Sequence, residues 1–428
     1  AVQVSAGAGT GSDGQQQASA SIRGSDGALG YSLGVSKEKA SGISVSTQSA
    51  MSGYNPDADG FMATSADARL AAKLSQAHVL TLAALHSDTD YQTDTAIPSG
   101  TTNPLGLTKL TTDTYSRAMT RSTSVRWDAQ WMVRWKSSLL MGASEEQSMQ
   151  RYLRASDGAL GATGRFNTAR RQLTWQNDIS FDADVLSAVL EQRGESVDSS
   201  TVYTVSSRDI YSTMASYAFN RSHWNALFVA RNDSNSQFGN FDNWAVSGGY
   251  RLTEAWRGVA SVGTSFQAPT FNQLYFPGFG NTALLPQMNR ASEVGVKYLQ
   301  DGVAFSAIAY QNDIQGFITP STNVQSNLAV LRGGTLSLDW MRGATTYSTS
   351  YDYADPHAFT TTGSSRDLRL VRVAMHMLNL RVAHNMGDVT VFGECRLSSE
   401  REDAKITGSG RDTLAAYGVL NVGGTWRL

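Results

Sequence analysis

The sequence predicts an all-β protein: a transmembrane antiparallel up-and-down β-barrel of about 20 strands, forming a single domain over residues 1–428. Three observations predict it. Apolar and polar residues alternate with period two along many runs. Tight polar turns alternate with long, varied connections. Spanning helices are excluded, because no stretch of about 18 apolar residues exists and mean hydropathy is -0.28.

The alternation is clearest at the end of the chain. Leu414, Ala416, Gly418, Leu420, Val422, Gly424, Trp426 and Leu428 form one apolar face, with Thr413, Asn421, Thr425 and Arg427 between them. A second run sets Trp256, Gly258, Ala260, Val262, Thr264 and Phe266 against Arg257, Ser261 and Ser265. A third sets Trp244, Val246, Gly248, Tyr250 and Leu252 against Asn243, Ser247 and Arg251. Period two means a strand with two unlike faces. Residues 303–312 and 368–383 are less clean and mix the two.

The connections fall into two sets. Tight turns read at 25–27, 75–77, 181–184, 220–223, 252–254, 300–302, 341–343 and 386–388. They carry Gly, Asp, Asn and Ser, as turn geometry requires. Long loops read at 41–60, 88–113, 146–164, 194–206, 233–241, 268–289, 355–365 and 400–411. An open sheet of this size would expose two edges and leave an apolar face in water. Closing it in lipid removes the edges and accounts for both faces. Trp127, Trp131, Trp135, Trp224, Trp244, Trp256, Tyr250, Tyr298 and Trp340 suit interfacial girdles.

Composition removes several function classes. Net charge is -2, which leaves no basic footprint for nucleic acid. A lone Cys395 excludes a disulfide framework, a Cys zinc site and a redox pair. The six His residues are scattered, and none lies in a nucleophile motif. His86 beside Asp88 and His357 beside Asp355 are the rim pairs a hydrolase would need. They read as surface His near loop acids, and the chain is expected not to be an enzyme.

Several segments resemble the barrel of TonB-dependent outer-membrane receptors, and among these the cobalamin (vitamin B12) receptors. The strongest runs from Gly263-Thr264-Ser265-Phe266-Gln267-Ala268-Pro269 to Leu274-Tyr275 and on to Gly280-Asn281. Thr282 and Gln287 stand where the family has Pro and Glu. Further matches, in family order, include Thr174-Trp175-Gln176-Asn177-Asp178, residues 231–239, Tyr310-Gln311-Asn312-Asp313-Ile314 and Ser399-Glu400-Arg401-Glu402-Asp403.

The resemblance implies a multi-pass protein of the bacterial outer membrane. Its neighbours there would be the lipid bilayer and lipopolysaccharide, and its ligand a cobalamin-like or other metal chelate held by outer loops. The family barrel has roughly 22 strands around a plugged lumen. Here Ala1-Val2-Gln3-Val4 reads as a first barrel strand and residues 423–428 as the end of a twentieth. A plug domain and the last two family strands are therefore expected to be absent, with TonB reached only through that plug. The alternative is a plugless passive pore: an engineered, divergent or split receptor.

Two loops carry the candidate ligand contacts. Phe271, Tyr275, Phe276, Phe279 and Asn281 concentrate four aromatics in one connection, either packing it over the barrel mouth or touching ligand. Tyr54 and Asn55 open the second loop. There Asn55, Asp57, Asp59 and Gly60 have the N-x-D-x-D-G spacing that begins a calcium loop. Ala66 replaces the bidentate Glu, so calcium competes with a plain polar turn. Beyond that ion no cofactor is expected. Asp88, Asp90, Tyr91 and Asp94 form a second acidic segment, expected in a loop.

Overall fold

In the computed structural model the described residues are 2–44, 58–94, 113–153, 160–319, 323–360, 366–405 and 410–427. They form β1 (Val2–Thr10), β2 (Gln16–Asp26), β3 (Leu29–Ile43), β4 (Asp59–Lys73), β5 (His78–Asp94), β6 (Asp113–Met132), β7 (Trp135–Leu153), β8 (Leu160–Phe181), β9 (Asp184–Ser199) and β10 (Ser207–Asn220). There follow β11 (Trp224–Asn235), β12 (Gly239–Arg251), β13 (Trp256–Gln267), the short helix α1 (Phe271–Tyr275), β14 (Gln287–Gln300), β15 (Val303–Gln315), β16 (Ile318–Thr319), β17 (Val324–Gln325) and β18 (Leu328–Arg342). The chain ends with β19 (Thr345–Thr360), β20 (Arg366–Arg369), β21 (His376–Met386), β22 (Val389–Ser398), β23 (Arg401–Ala404), β24 (Arg411–Leu414) and β25 (Tyr417–Trp426).

Among the described residues twenty long strands form the wall, each antiparallel to its neighbour in sequence. The pairs β16–β17 and β23–β24 are small hairpins on the loop side, and β20 adds to the loop end of β19. Among the described residues, β1 pairs with β2 alone and β25 with β22 alone.

The register keeps the two faces separate across the wall. One row runs Ala226, Gly248, Ala260, Val294, Ala309. The next runs Leu227, Ser247, Ser261, Glu293, Tyr310. A slip of one residue would swap the faces, so the alternation of β12 and β13 locks both. The polar face is the lumen, because the loop-side segments pack against it.

All the tight turns expected from the sequence lie at one end, and a further one, Val133-Arg134, joins β6 to β7. Asp301 and Gly302 both have positive φ (54° and 76°), as a two-residue hairpin turn requires. Aromatic residues gather on the lipid face at this end. Trp256 lies 5.0 Å from Tyr298, and Trp340 stacks at 5.2 Å on Tyr347.

The strands are longer than the alternation suggested. β5 runs to Asp94, β7 to Leu153 and β19 to Thr360, through segments expected as loops. β8 has 22 residues, whereas about 10 cross a bilayer. The excess stands outside the membrane, where neither face must be apolar, so period two fades. The expected final strand is also cut: Leu414 ends β24, and β25 starts only at Tyr417. The mixed run 368–383 proves to be two elements, β20 and β21, joined by residues 370–375.

Candidate ligand-binding site

The site builds on the connection between β13 and β14. Thr270 caps α1: its Oγ1 accepts from Gln273 N at 3.2 Å, and its own N donates to Gln273 Oε1 at 2.9 Å. That reciprocal pair fixes a one-turn helix in a stretch with little propensity of its own. Phe271 and Leu274 then point inward, 6% and 2% exposed. Leu274, Leu284 and Ile318 form a small core, with Phe238 and Tyr275 against it.

The hairpin β16–β17 completes this cover over the barrel mouth. Asn323, at φ 51°, donates from Nδ2 to the carbonyl oxygens of Gln273 and Phe279, the latter at 2.9 Å. Gln325 Nε2 donates to Leu285 O at 2.7 Å, and Leu285 N donates to Gln325 Oε1 at 3.1 Å. Gly280 lies so close to α1 that a Cβ there would meet Leu274 O at 2.7 Å and Tyr275 N at 2.8 Å.

The lumen wall holds the cover down. Arg208 Nη1 donates to Pro269 O at 2.9 Å, and its guanidinium stands 5.0 Å from the Phe271 ring centre. Tyr203 donates to Asn272 Oδ1, and Gln237 to the Tyr275 hydroxyl. Burial holds the Tyr203 phenol above its ordinary pKa, so at neutral pH it is a protonated donor. Phe166, Tyr203 and Phe276 make a chain of rings at 6.0 and 6.4 Å.

Below the cover, Glu195 accepts from Arg208 at 2.7 Å and pairs with Arg170 and Arg193, each at 3.3 Å. A second knot sets Arg231 between Glu191 (3.0 Å) and Asp233 (2.9 Å). Between cover and wall lies a niche of about 340 Å³, lined by Phe166, Arg170, Glu195, Arg208, Thr270 and Phe271. Glu146 lines it too, so two guanidinium groups and two carboxylates stand beside two aromatic rings in a charged, balanced niche. Such a niche can hold one amide-bearing, hydrogen-bonding edge of a larger ligand.

The expected contacts separate on this geometry. Phe271 is buried in packing, Tyr275 and Phe276 are half-buried, and Phe279 is 42% exposed. Asn281 braces the cover: its Oδ1 accepts from Ala283 N at 3.0 Å. Tyr54, Asn55 and Asp57 lie outside the described residues. Asp59 and Gly60 open β4, with Asp59 opposite Ile43. Among the described residues, no three His, Cys, Asp or Glu side chains converge on a metal position.

The second acidic segment is strand β5, where the Asp88 carboxylate takes Arg117 in a bidentate pair instead of facing His86. Asp355 does meet His357, at 2.7 Å, and is also held by Arg332 at 2.9 Å. The sequence reading missed Arg208, Tyr203, Gln237, Asn323 and Gln325. Lumen-facing charge at alternate positions, as in Glu191, Arg193 and Glu195, was the one signal for such a wall.

The family model described as "TonB dependent receptor-like, beta-barrel" matches residues 5–428. The chain belongs to this family. This TonB-dependent receptor barrel is thus an outer-membrane protein of the Gram-negative type. It is 25% identical over 310 residues to the vitamin B12 transporter BtuB of Vibrio vulnificus, covering 69% of this chain and 48% of that protein. To BtuB of Photobacterium profundum it is 28% identical over 204 residues, 45% of this chain and 34% of that one. The chain thus spans half or less of the curated relatives it matches.

Solved structures share the fold. The FrpB iron transporter of Neisseria meningitidis superposes with TM-score 0.78 at 11% identity, covering 100% of this chain and 74% of that one. The ferric-catecholate import receptor Fiu of E. coli gives 0.77 at 15%, covering 99% and 75%. A mutant of the ferric enterobactin receptor PfeA of Pseudomonas aeruginosa gives 0.75 at 16%, covering 100% and 72%.

Proposed function

We propose that this TonB-dependent receptor barrel forms the wall and loop-side ligand face of an importer for a scarce metal chelate of the cobalamin class. The observation that carries the reading is the braced aromatic cover over a charged niche at the loop end. A passive channel has no need of a mouth built from α1, β16 and β17 and latched by Arg208. The vitamin B12 transporters among the relatives supply the ligand class.

Ligand contact falls to Arg170, Phe166 and Thr270 in the niche and to exposed Phe279, with Phe271, Tyr275, Phe276 and Asn281 shaping the cover. Tyr54 and Asn55, outside the described residues, would add contacts from the connection between β3 and β4, which calcium bound by Asn55, Asp57 and Asp59 would order. Import itself requires a plug coupled to TonB and inner-membrane energy. The test is a titration of the purified protein in nanodiscs with cyanocobalamin. Binding that weakens at least about tenfold in Arg170→Ala/Phe279→Ala supports the reading, as loss of a charged hydrogen bond alone is of that size. Absence of binding by folded wild type overturns it.

A passive pore is the second reading. The lumen faces of β12 and β13 carry Asn243, Ser247, Arg251, Arg257 and Ser261, which favour water. Steady conductance of the pure protein in planar bilayers, unchanged by cyanocobalamin, would favour this reading over the first.

A further inference from the structure

We propose that the turn end of the lumen carries an anion site, built on Arg251, Arg257 and Lys297, that takes an oxyanion of the phosphate class. It lies far from the cover, because β13 runs from Trp256 at the turn end to Gln267 at the loop end. The ten residues from Arg257 to Gln267 rise about 34 Å along the strand. The three cations share one cross-strand row: Arg251 is opposite Arg257, and Arg257 is opposite Lys297. Neighbouring strands are only about 4.8 Å apart, and like charges directly opposite each other are destabilising. Other lumen arginines are offset by acids: Arg126 by Asp128, Arg193 and Arg208 by Glu195, Arg231 by Asp233, and Arg381 by Glu394. This row is not. Arg251 and Lys297 are exposed, with no hydrogen-bond or ion-pair partner among the described residues. Arg257 donates to a neutral group, Asn225 Oδ1. Beyond Lys297 the row continues in hydroxyls, Ser306 and then Ser337.

The backbone makes room for this arrangement. A Cβ at Gly249 would meet the Arg257 guanidinium, with Nε at 2.5 Å and Nη2 at 2.6 Å. Glycine there lets the side chain lie over β12 and reach Asn225 on β11. Beside it opens a lumen hollow of about 630 Å³, lined by Asn225, Gly249, Arg257, Lys297 and Ser306. Glu293 lines it too, four residues from Lys297 and so about 13 Å further along the strand. Asp339 faces the lumen two strands from β14, one position nearer the turn than Ser337. Neither acid is in an ion pair among the described residues. The row thus keeps an excess of positive charge over a polar hollow. Two guanidinium forks and an ammonium present more donors than one carboxylate accepts. A phosphate group offers three acceptor oxygens and a charge of about -1.5 to -2 at neutral pH, and it takes Arg in a bidentate fork.

The experiment is equilibrium dialysis of the full chain in detergent micelles against radiolabelled inorganic pyrophosphate at fixed ionic strength, with heat-modifiable mobility as the check on folding. Wild type should hold one pyrophosphate. Arg257→Gln and Lys297→Gln should each weaken binding by about fivefold or more, since a charge-assisted contact is lost. Lys297→Arg should retain it. Gly249→Ala, which displaces the guanidinium and leaves every charge in place, should weaken it as well. Arg69→Gln, which removes an exposed lumen cation of β4 outside the row, should bind as wild type. Absence of binding by folded wild type overturns the site. So does undiminished binding by the folded Arg257 and Lys297 variants, or an equal loss in Arg69→Gln, which would reduce the effect to net charge. Equal affinity of wild type for citrate overturns the assignment to the phosphate class.

Discussion

Arg208 on the lumen wall donates to the carbonyl oxygen of Pro269 at 2.9 Å while its guanidinium lies over the Phe271 ring. The two contacts join residues 61 apart in sequence and make one side chain the tie between wall and cover. Arg208→Met should free the cover. A charged hydrogen bond contributes about 1.5–3 kcal/mol and the cation–π contact about 0.5–2 kcal/mol. Limited proteolysis should then cut within residues 268–286 in the variant, while the wall stays intact.

Gly280→Ala should unseat the same cover by sterics. The added Cβ meets backbone atoms of α1, which no rotamer change can move. Overpacking of this kind costs about 1–3 kcal/mol. Amide exchange of Leu274 and Leu284 should quicken, with exchange in β12 and β13 unchanged.

Tyr203 gives the cover a pH limit. Its phenol titrates above the ordinary value because it is buried. The stability this adds is complete below the unfolded pKa of about 10 and is lost as pH rises through the higher folded value. Ultraviolet titration should show one fewer late-ionising phenol in Tyr203→Phe than in wild type. Cover protection should be level from pH 7 to about 9.5 and fall only at higher pH, since a phenolate cannot donate to Asn272.

The wall was legible in the sequence wherever lipid enforced it. The apolar faces of β12 and β13 occur as expected, because there a one-residue slip would bury Arg257 in lipid. Legibility stopped where lipid stops. Glu145, Glu146, Gln147 and Gln150 alternate nothing, yet they continue β7 as strand. The cover was legible as an aromatic loop but not as a packed one. Its ties, Arg208 to Pro269 and Asn323 to Gln273, join segments far apart in sequence, and no local pattern announces them.

Facing can also be tested by charge. Val246→Arg puts a cation into lipid and should cost about 2–4 kcal/mol near the midplane. Ser247→Arg, one residue on, faces the lumen and should fold nearly as wild type. Yields of heat-modifiable protein after refolding into vesicles measure the difference.

The most direct test of a wall with one lipid face and one aqueous lumen is cysteine labelling along β12 and β13. Cys395, the one native cysteine, is first changed to Ala. Single cysteines at Asn243, Ser247 and Ser261 should react with a small membrane-impermeant maleimide in reconstituted vesicles. Those at Val246, Gly248 and Val262 should resist it and react with a lipid-soluble reagent instead. Equal labelling of neighbouring positions, or the opposite alternation, would contradict the barrel and its register.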